Sequence, residues 1–148
     1  MLCQHQHRLS IPTTGRGLVE IITSVVQALQ ASRIDEGWVT LFIRHTSASL
    51  VIQENADPDV RGDLERFFAR LVGDGDPLFV HRSEGPDDMP AHVRAALTAT
   101  QLLVPVRSGR LTLGHGRVST CGSIDCRGMC GRSSCRSWVS EGIVVYVP

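Results

Sequence analysis

The sequence predicts an α+β fold, a single domain of mixed, largely antiparallel sheet with about three helices. Three observations predict it. A chain of 148 residues suits one globular unit large enough to hold together without staples. Its apolar residues follow a helical period in some stretches and form short β-branched runs in others. The two kinds of segment alternate without the regular rhythm of strand–helix–strand units, which disfavours an all-parallel sheet.

Residues His5 to Ile11 alternate as a first strand, closed by Pro12 and a polar turn at Thr13, Thr14 and Gly15. Leu18, Ile21, Ile22, Val25, Val26 and Leu29 then mark one apolar stripe of a helix. Trp38 to Arg44 is β-branched and aromatic, too short for a helix, and reads as a buried strand with His45 at its end. Ser49 to Gln53 continues as a strand. Asp57 is a good N-cap and Pro58 fits the first helical position, so a helix is expected from Pro58 to about Leu71. Its buried stripe would be Val60, Leu64, Phe67, Phe68 and Leu71. A loop around Gly73 to Pro77 leads into Leu78 to Arg82, a short strand or extended arm. Asp87 or Asp88 caps a third helix through Leu97, with Met89, Val93, Ala96 and Leu97 facing inward. Two strands, Gln101 to Val106 and Arg110 to Leu113, flank a hairpin turn at Arg107, Ser108 and Gly109.

Fifteen arginines and no lysine balance 15 acidic residues, for a net charge of zero. That balance argues against a general nucleic-acid or membrane-surface binder. No apolar run approaches the ~20 residues of a membrane span. The first residues lack a secretory pattern, so the cytoplasm is the expected location and disulfides are not expected.

The chemistry concentrates between His45 and Phe68. The entrance of the Pro58 helix favours an anion, with Arg44 and Arg61 as forked donors and Thr46, Ser47 and Ser49 as hydroxyl donors. Such a set suits a small phosphorylated metabolite. Glu54, Asp57 and Asp63 can instead hold Mg²⁺ beside phosphate oxygens. His45 suits acid–base work or metal binding, and with His81 and His92 it could complete a three-histidine zinc site, although no HxxxH spacing announces one. Each residue also has a plainer use. Asp57 can simply cap its helix, Arg61, Glu65 and Arg66 can form a solvated face, and Ser47 and Ser49 can be polar strand positions. No GxSxG elbow, phosphate-binding P-loop or GxGxxG fingerprint occurs.

The ordered series HTSASL, ENADPDVRGDLERFF, EGPDDMPAH and PVRSGRLTLG resembles the YjbQ family, small proteins associated with secondary thiamine-phosphate synthase activity. The resemblance covers roughly residues 5–116. It implies a homotrimer, if the C-terminus is intact, and an enzyme joining a pyrimidine diphosphate to a thiazole phosphate with release of pyrophosphate. Under it, His45, Asn55, Asp63 and Glu54 are the catalytic candidates. Arg44, Thr46, Ser47, Ser49, Arg61, Asp57, Asp87 and Asp88 would bind substrate, and His45, His81 and His92 a divalent metal, Mg or Zn. Two other readings stand beside it: a non-enzymatic homotrimer that binds a phosphorylated metabolite or a metal, and a metal-dependent hydrolase. At Arg82 the chain departs from the family, which commonly has aspartate there.

The larger departure is C-terminal. Cys121, Cys126, Cys130 and Cys135 crowd a Gly- and Ser-rich tail at a spacing that matches no zinc ribbon or finger. The family continues instead with a GTWQGI-like strand and a WEHR-like segment. Given GC-rich codons for Arg117 to Gly142 and one C restored after the Gly116 codon, the other frame reads QGIYLWEHRLPRHVREVVVSVLGERG. The sequence is therefore expected to divide at Gly116, residues 1–116 forming the domain and 117–148 a frameshifted tail.

Overall fold

The structure, a computed structural model, describes residues 4–13, 15–54, 56–114, 117–122 and 143–147, the last two stretches by their backbone. The expected α+β class is present. In chain order the elements are β1 (His5–Leu9), β2 (Val19–Glu20), α1 (Ile22–Ser32), β3 (Gly37–Ile43), β4 (Ser49–Glu54), α2 (Pro58–Leu71), α3 (Asp88–Leu97), β5 (Gln101–Arg107), β6 (Arg110–Leu111), β7 (Arg117–Gly122) and β8 (Ile143–Val147). The strands form two sheets, β1-β8-β3-β5-β6 and β2-β7-β4. Every pairing between these strands is antiparallel. Among the described residues, no helix is long and apolar enough to cross a membrane.

Alternation along β3 builds the core. Val39, Leu41 and Ile43 are buried with Val106 of β5 against Val25, Ala28 and Leu29 of α1. At roughly 25 cal/mol per Å² of apolar surface removed from water, this layer supplies the main driving force for folding. The opposite face of the same strands is open: Trp38 is 46% exposed, Phe42 41% and Leu103 57%. Register sets Trp38 opposite Pro105 and Thr40 opposite Leu103, so these side chains make one apolar surface. The β5–β6 connection is tight. Ser108 and Gly109 both have positive φ, 50° and 67°, as a type I′ hairpin turn requires.

Several details differ from expectation. The first helix starts at Ile22, because Val19 and Glu20 pair with β7 as a strand and leave Leu18 outside the helix. Leu78 to Arg82 carries no strand. Helix α2 has the expected bounds, and Asp57 Oδ1 accepts from the Asp59 backbone N–H at 2.9 Å. Its expected apolar stripe is not buried, with Phe67 48% and Leu71 54% exposed. The reason is position. Leu64 and Phe68 line a cavity of about 130 Å³ shared with Val51 and Gln53 of β4, so α2 lies over the small sheet without packing closely onto it. On α3 the inward residues are Pro90, Ala91, Arg94 and Ala95, whereas Ala96 and Leu97 are exposed. Arg94, only 3% exposed, turns the helix inward, since its Nη2 donates to the Val72 carbonyl just past α2.

The division at Gly116 meets two strands beyond it. Residues of β7 pair with β4 from Ser49↔Gly122 to Glu54↔Arg117, and β8 lies between β1 and β3. The backbone of these stretches is therefore part of both sheets. Cys126, Cys130 and Cys135, along with Cys3, lie outside the described residues.

Candidate metal centre

Three side chains converge where the loop before α3, the first turns of α3 and the turn after β3 meet. His81 Nε2 lies 3.1 Å from Asp88 Oδ2, and His92 Nε2 lies 3.2 Å from the same oxygen. The donor atoms of His81, Asp88 and His92 all fall within 4.8 Å of one another. Asp88 and His92 stand at i and i+4 on α3, which places both on one face of the helix. His81 arrives from the preceding loop, its ring 6.3 Å from that of His92. The Asp88 side chain is 9% exposed, the two imidazoles 44% and 33%.

The second nitrogen of His92 fixes the chemistry of the first. Nδ1 lies 3.3 Å from the Thr46 carbonyl oxygen. A carbonyl only accepts, so Nδ1 carries the hydrogen. In the neutral ring, Nε2 then turns its lone pair toward the Asp88 carboxylate. Two electron-rich atoms 3.2 Å apart are brought together by a shared proton or by a bound metal ion. A metal-ligating histidine held through its other nitrogen by a backbone carbonyl is a recurrent arrangement. The donor set, two imidazoles and one carboxylate, suits Zn²⁺ and related transition ions better than Mg²⁺, which prefers oxygen.

His45 is outside this group, for a reason found in its own turn. Its Nδ1 meets the Ser47 backbone N–H at 3.2 Å, with Ser47 Oγ also at 3.2 Å. A backbone N–H only donates, so Nδ1 accepts and the neutral ring carries its hydrogen on Nε2. In that tautomer His45 offers a donor at Nε2, and among the described residues the group within ligand distance is His81, Asp88 and His92. The third donor is Asp88, expected to bind substrate. The D-x-x-x-H spacing of Asp88 and His92 was the available signal, equivalent on a helix to HxxxH.

The other candidates divide by location. Thr46 enters through its carbonyl, and Ser47 is buried in the turn beside it. Ser49, also buried, lines the cavity under α2. Asp57 caps α2, and Asp63 pairs with Arg66 one turn along the same helix. Arg61 is exposed on α2, Arg44 is exposed after β3 and Glu54 is exposed at the end of β4. Asp87 is buried at the N-cap of α3 without a side-chain capping bond. Asn55 lies outside the described residues.

Fold and centre together define a class: a small α+β domain that presents an imidazole–carboxylate cluster between a helix and two loops. Comparison with known proteins identifies the family to which the fold belongs. Residues 7–122 match the family model described as UPF0047 protein YjbQ-like. The chain is 50% identical over 111 residues to a UPF0047 protein of Synechocystis sp., covering 75% of this chain and 76% of that one. It is 39% identical over 111 residues to UPF0047 protein YjbQ of Escherichia coli O157:H7, covering 74% and 80%. The crystal structure of a conserved hypothetical protein from Thermus thermophilus superposes with a TM-score of 0.76 at 32% identity, covering 94% of this chain and 97% of that one. A YbjQ-like protein of Sulfolobus solfataricus P2 shares the fold at a TM-score of 0.80 and 20% identity, with 98% and 96% covered. The chain belongs to the YjbQ-like UPF0047 family.

Proposed function

We propose that this chain is a metal-dependent hydrolase of a small phosphorylated metabolite, with a divalent transition ion held by His81, Asp88 and His92. The observation that carries the reading is the shared Asp88 oxygen, approached by two Nε2 atoms at 3.1 and 3.2 Å while the Thr46 carbonyl holds the far side of one ring. When bound there, such an ion would supply Lewis-acid chemistry toward a phosphoryl oxygen and an attacking water. The Thr46 carbonyl orients His92, and the largely enclosed Asp88 carboxylate would balance part of the charge of such an ion. His45 presents an Nε2–H donor from the adjoining turn to an oxygen of the reacting group.

A second reading, thiamine-phosphate formation, is favoured by the resemblance of the His45–Phe68 stretch to the YjbQ family and by exposed Arg44 and Arg61, which can support departing pyrophosphate. The donor set favours the first reading, because two imidazoles are poor partners for the Mg²⁺ that phosphorylated substrates commonly bring. Purified protein of verified sequence decides between them. Turnover of phosphate esters that requires about one equivalent of Zn²⁺ supports hydrolysis, whereas joining of the two thiamine precursors with Mg²⁺ supports transfer. Saturable binding without either reaction would leave a metabolite- or metal-binding protein.

The reading includes a homotrimer. The apolar face of Trp38, Phe42 and Leu103 supports it, since exposed patches of this kind mark association surfaces. Light scattering on the purified protein measures the assembly.

A further inference from the structure

Beside the metal centre, the loop between α2 and α3 closes a second feature. Gly75 N–H donates to the Pro86 carbonyl at 2.8 Å, Asp76 Oδ1 accepts from the Leu78 N–H at 2.8 Å, and Gly85 N–H donates to the Arg82 carbonyl at 3.3 Å. These bonds shape a pocket of about 170 Å³ whose lining includes His81, Arg82, Phe79, Asp76 and Met89. His81 therefore belongs to both features, as a wall of the pocket and a member of the cluster with Asp88 and His92.

Arg82 gives the pocket its chemistry. Its Nε donates to the Phe79 carbonyl at 3.0 Å, which ties the base of the guanidinium to the loop. A guanidinium has five N–H donors in a planar fork, so four remain on its two Nη atoms, a geometry suited to a tetrahedral oxyanion. Asp76 is the opposing charge in the lining, and one of its oxygens is engaged by the Leu78 N–H. The volume is smaller than the ~300 Å³ typical of a whole drug-sized ligand site. It suits one group of a substrate, next to the place where the metal would act on it.

We propose that this pocket receives a phosphoryl group of the substrate, with Arg82 as the residue that determines specificity for it and His81 as the wall shared with the metal centre. The inference rests on the reading of His81, Asp88 and His92 as that centre. Unlike the helix-entrance site expected from Asp57 and Arg61, this anion position sits on the loop that supplies a metal ligand. It also ties metal and substrate to one backbone segment, so each should order the loop for the other.

Inorganic phosphate is the probe, titrated calorimetrically into the full chain with and without one equivalent of Zn²⁺, for the wild type, Arg82→Gln and the control Arg110→Gln on exposed β6. The expected result is a phosphate Kd raised about tenfold in Arg82→Gln, an unchanged Zn²⁺ Kd, and wild-type behaviour of Arg110→Gln. If Zn²⁺ binds but Arg82→Gln takes phosphate as the wild type does, the pocket assignment is overturned and the metal reading stands. If the wild type takes no Zn²⁺, the metal reading fails by itself. The metal-free titration then judges the pocket, which survives only if Arg82→Gln is still about tenfold weaker.

Discussion

At the residue scale, Thr46 acts through an atom that every residue type shares. Its carbonyl accepts from His92 Nδ1, and this bond decides which nitrogen of His92 is left for a cation. The ligand set can be tested one member at a time. Asp88→Asn replaces a charged oxygen by a weak amide donor and is expected to lower Zn²⁺ affinity by at least about a hundredfold, measured by competition with a chromophoric chelator. His45→Gln should leave Zn²⁺ affinity unchanged and reduce turnover, because its Nδ1 is committed to the Ser47 N–H. Equal loss of affinity in both variants would put His45 among the ligands. The three histidines were legible in the sequence as chemistry, but their grouping was not. Which nitrogen of His45 or His92 is available depends on backbone partners at Ser47 and Thr46, and a sequence records no hydrogen bond to a carbonyl.

At the scale of elements, the same contrast separates α1 from α2. Both have amphipathic sequences, yet α1 buries Val25, Ala28 and Leu29 and α2 buries none of its residues fully. Leu29→Ala should therefore cost about 2–5 kcal/mol, whereas Phe67→Ser should stay within about 0.5 kcal/mol, both by urea denaturation. Asp57→Ala removes the capping acceptor of the Asp59 N–H and is expected to cost about 1 kcal/mol. Helix bounds at Pro58 and Leu71 were readable because capping is local chemistry. The hairpin at Ser108 and Gly109 was readable for the same reason. The orientation of α3 was not, since a periodicity that counts apolar side chains passes over a buried arginine such as Arg94. Burial on α2 was overestimated because periodicity identifies the inner face of a helix without saying how closely anything packs on it.

For the whole molecule, the open face of the large sheet is the surface on which the proposed trimer rests. Glutamates at Trp38 and Leu103 together place two charges on that surface and are expected to turn a trimer into a monomer by light scattering, with the far-UV spectrum retained. A wild-type monomer would sink the assembly reading. The identity of the C-terminal segment is settled by resequencing the gene and weighing the intact protein. An unshifted gene with a mass equal to that of the written sequence would exclude the frameshift. Strands β7 and β8 give that result structural weight, since β7 joins β2 to β4 in the small sheet and β8 joins β1 to β3 in the large one.

The central place of β8 also sets the order of events during synthesis. His5 pairs with Val147 and Ile43 with Ile143, so β1 finds its partner only after residues 143–147 have been made. A ribosome adds residues at roughly 5–20 per second, leaving β1 and one edge of β3 without their common neighbour for several seconds. Contacts of such sequence separation slow folding and leave strand edges available to other chains. A nascent chain arrested before residue 143 should therefore be sensitive to protease and gain protection abruptly once β8 clears the ribosome. Protection acquired gradually along the chain would show that the large sheet closes without it.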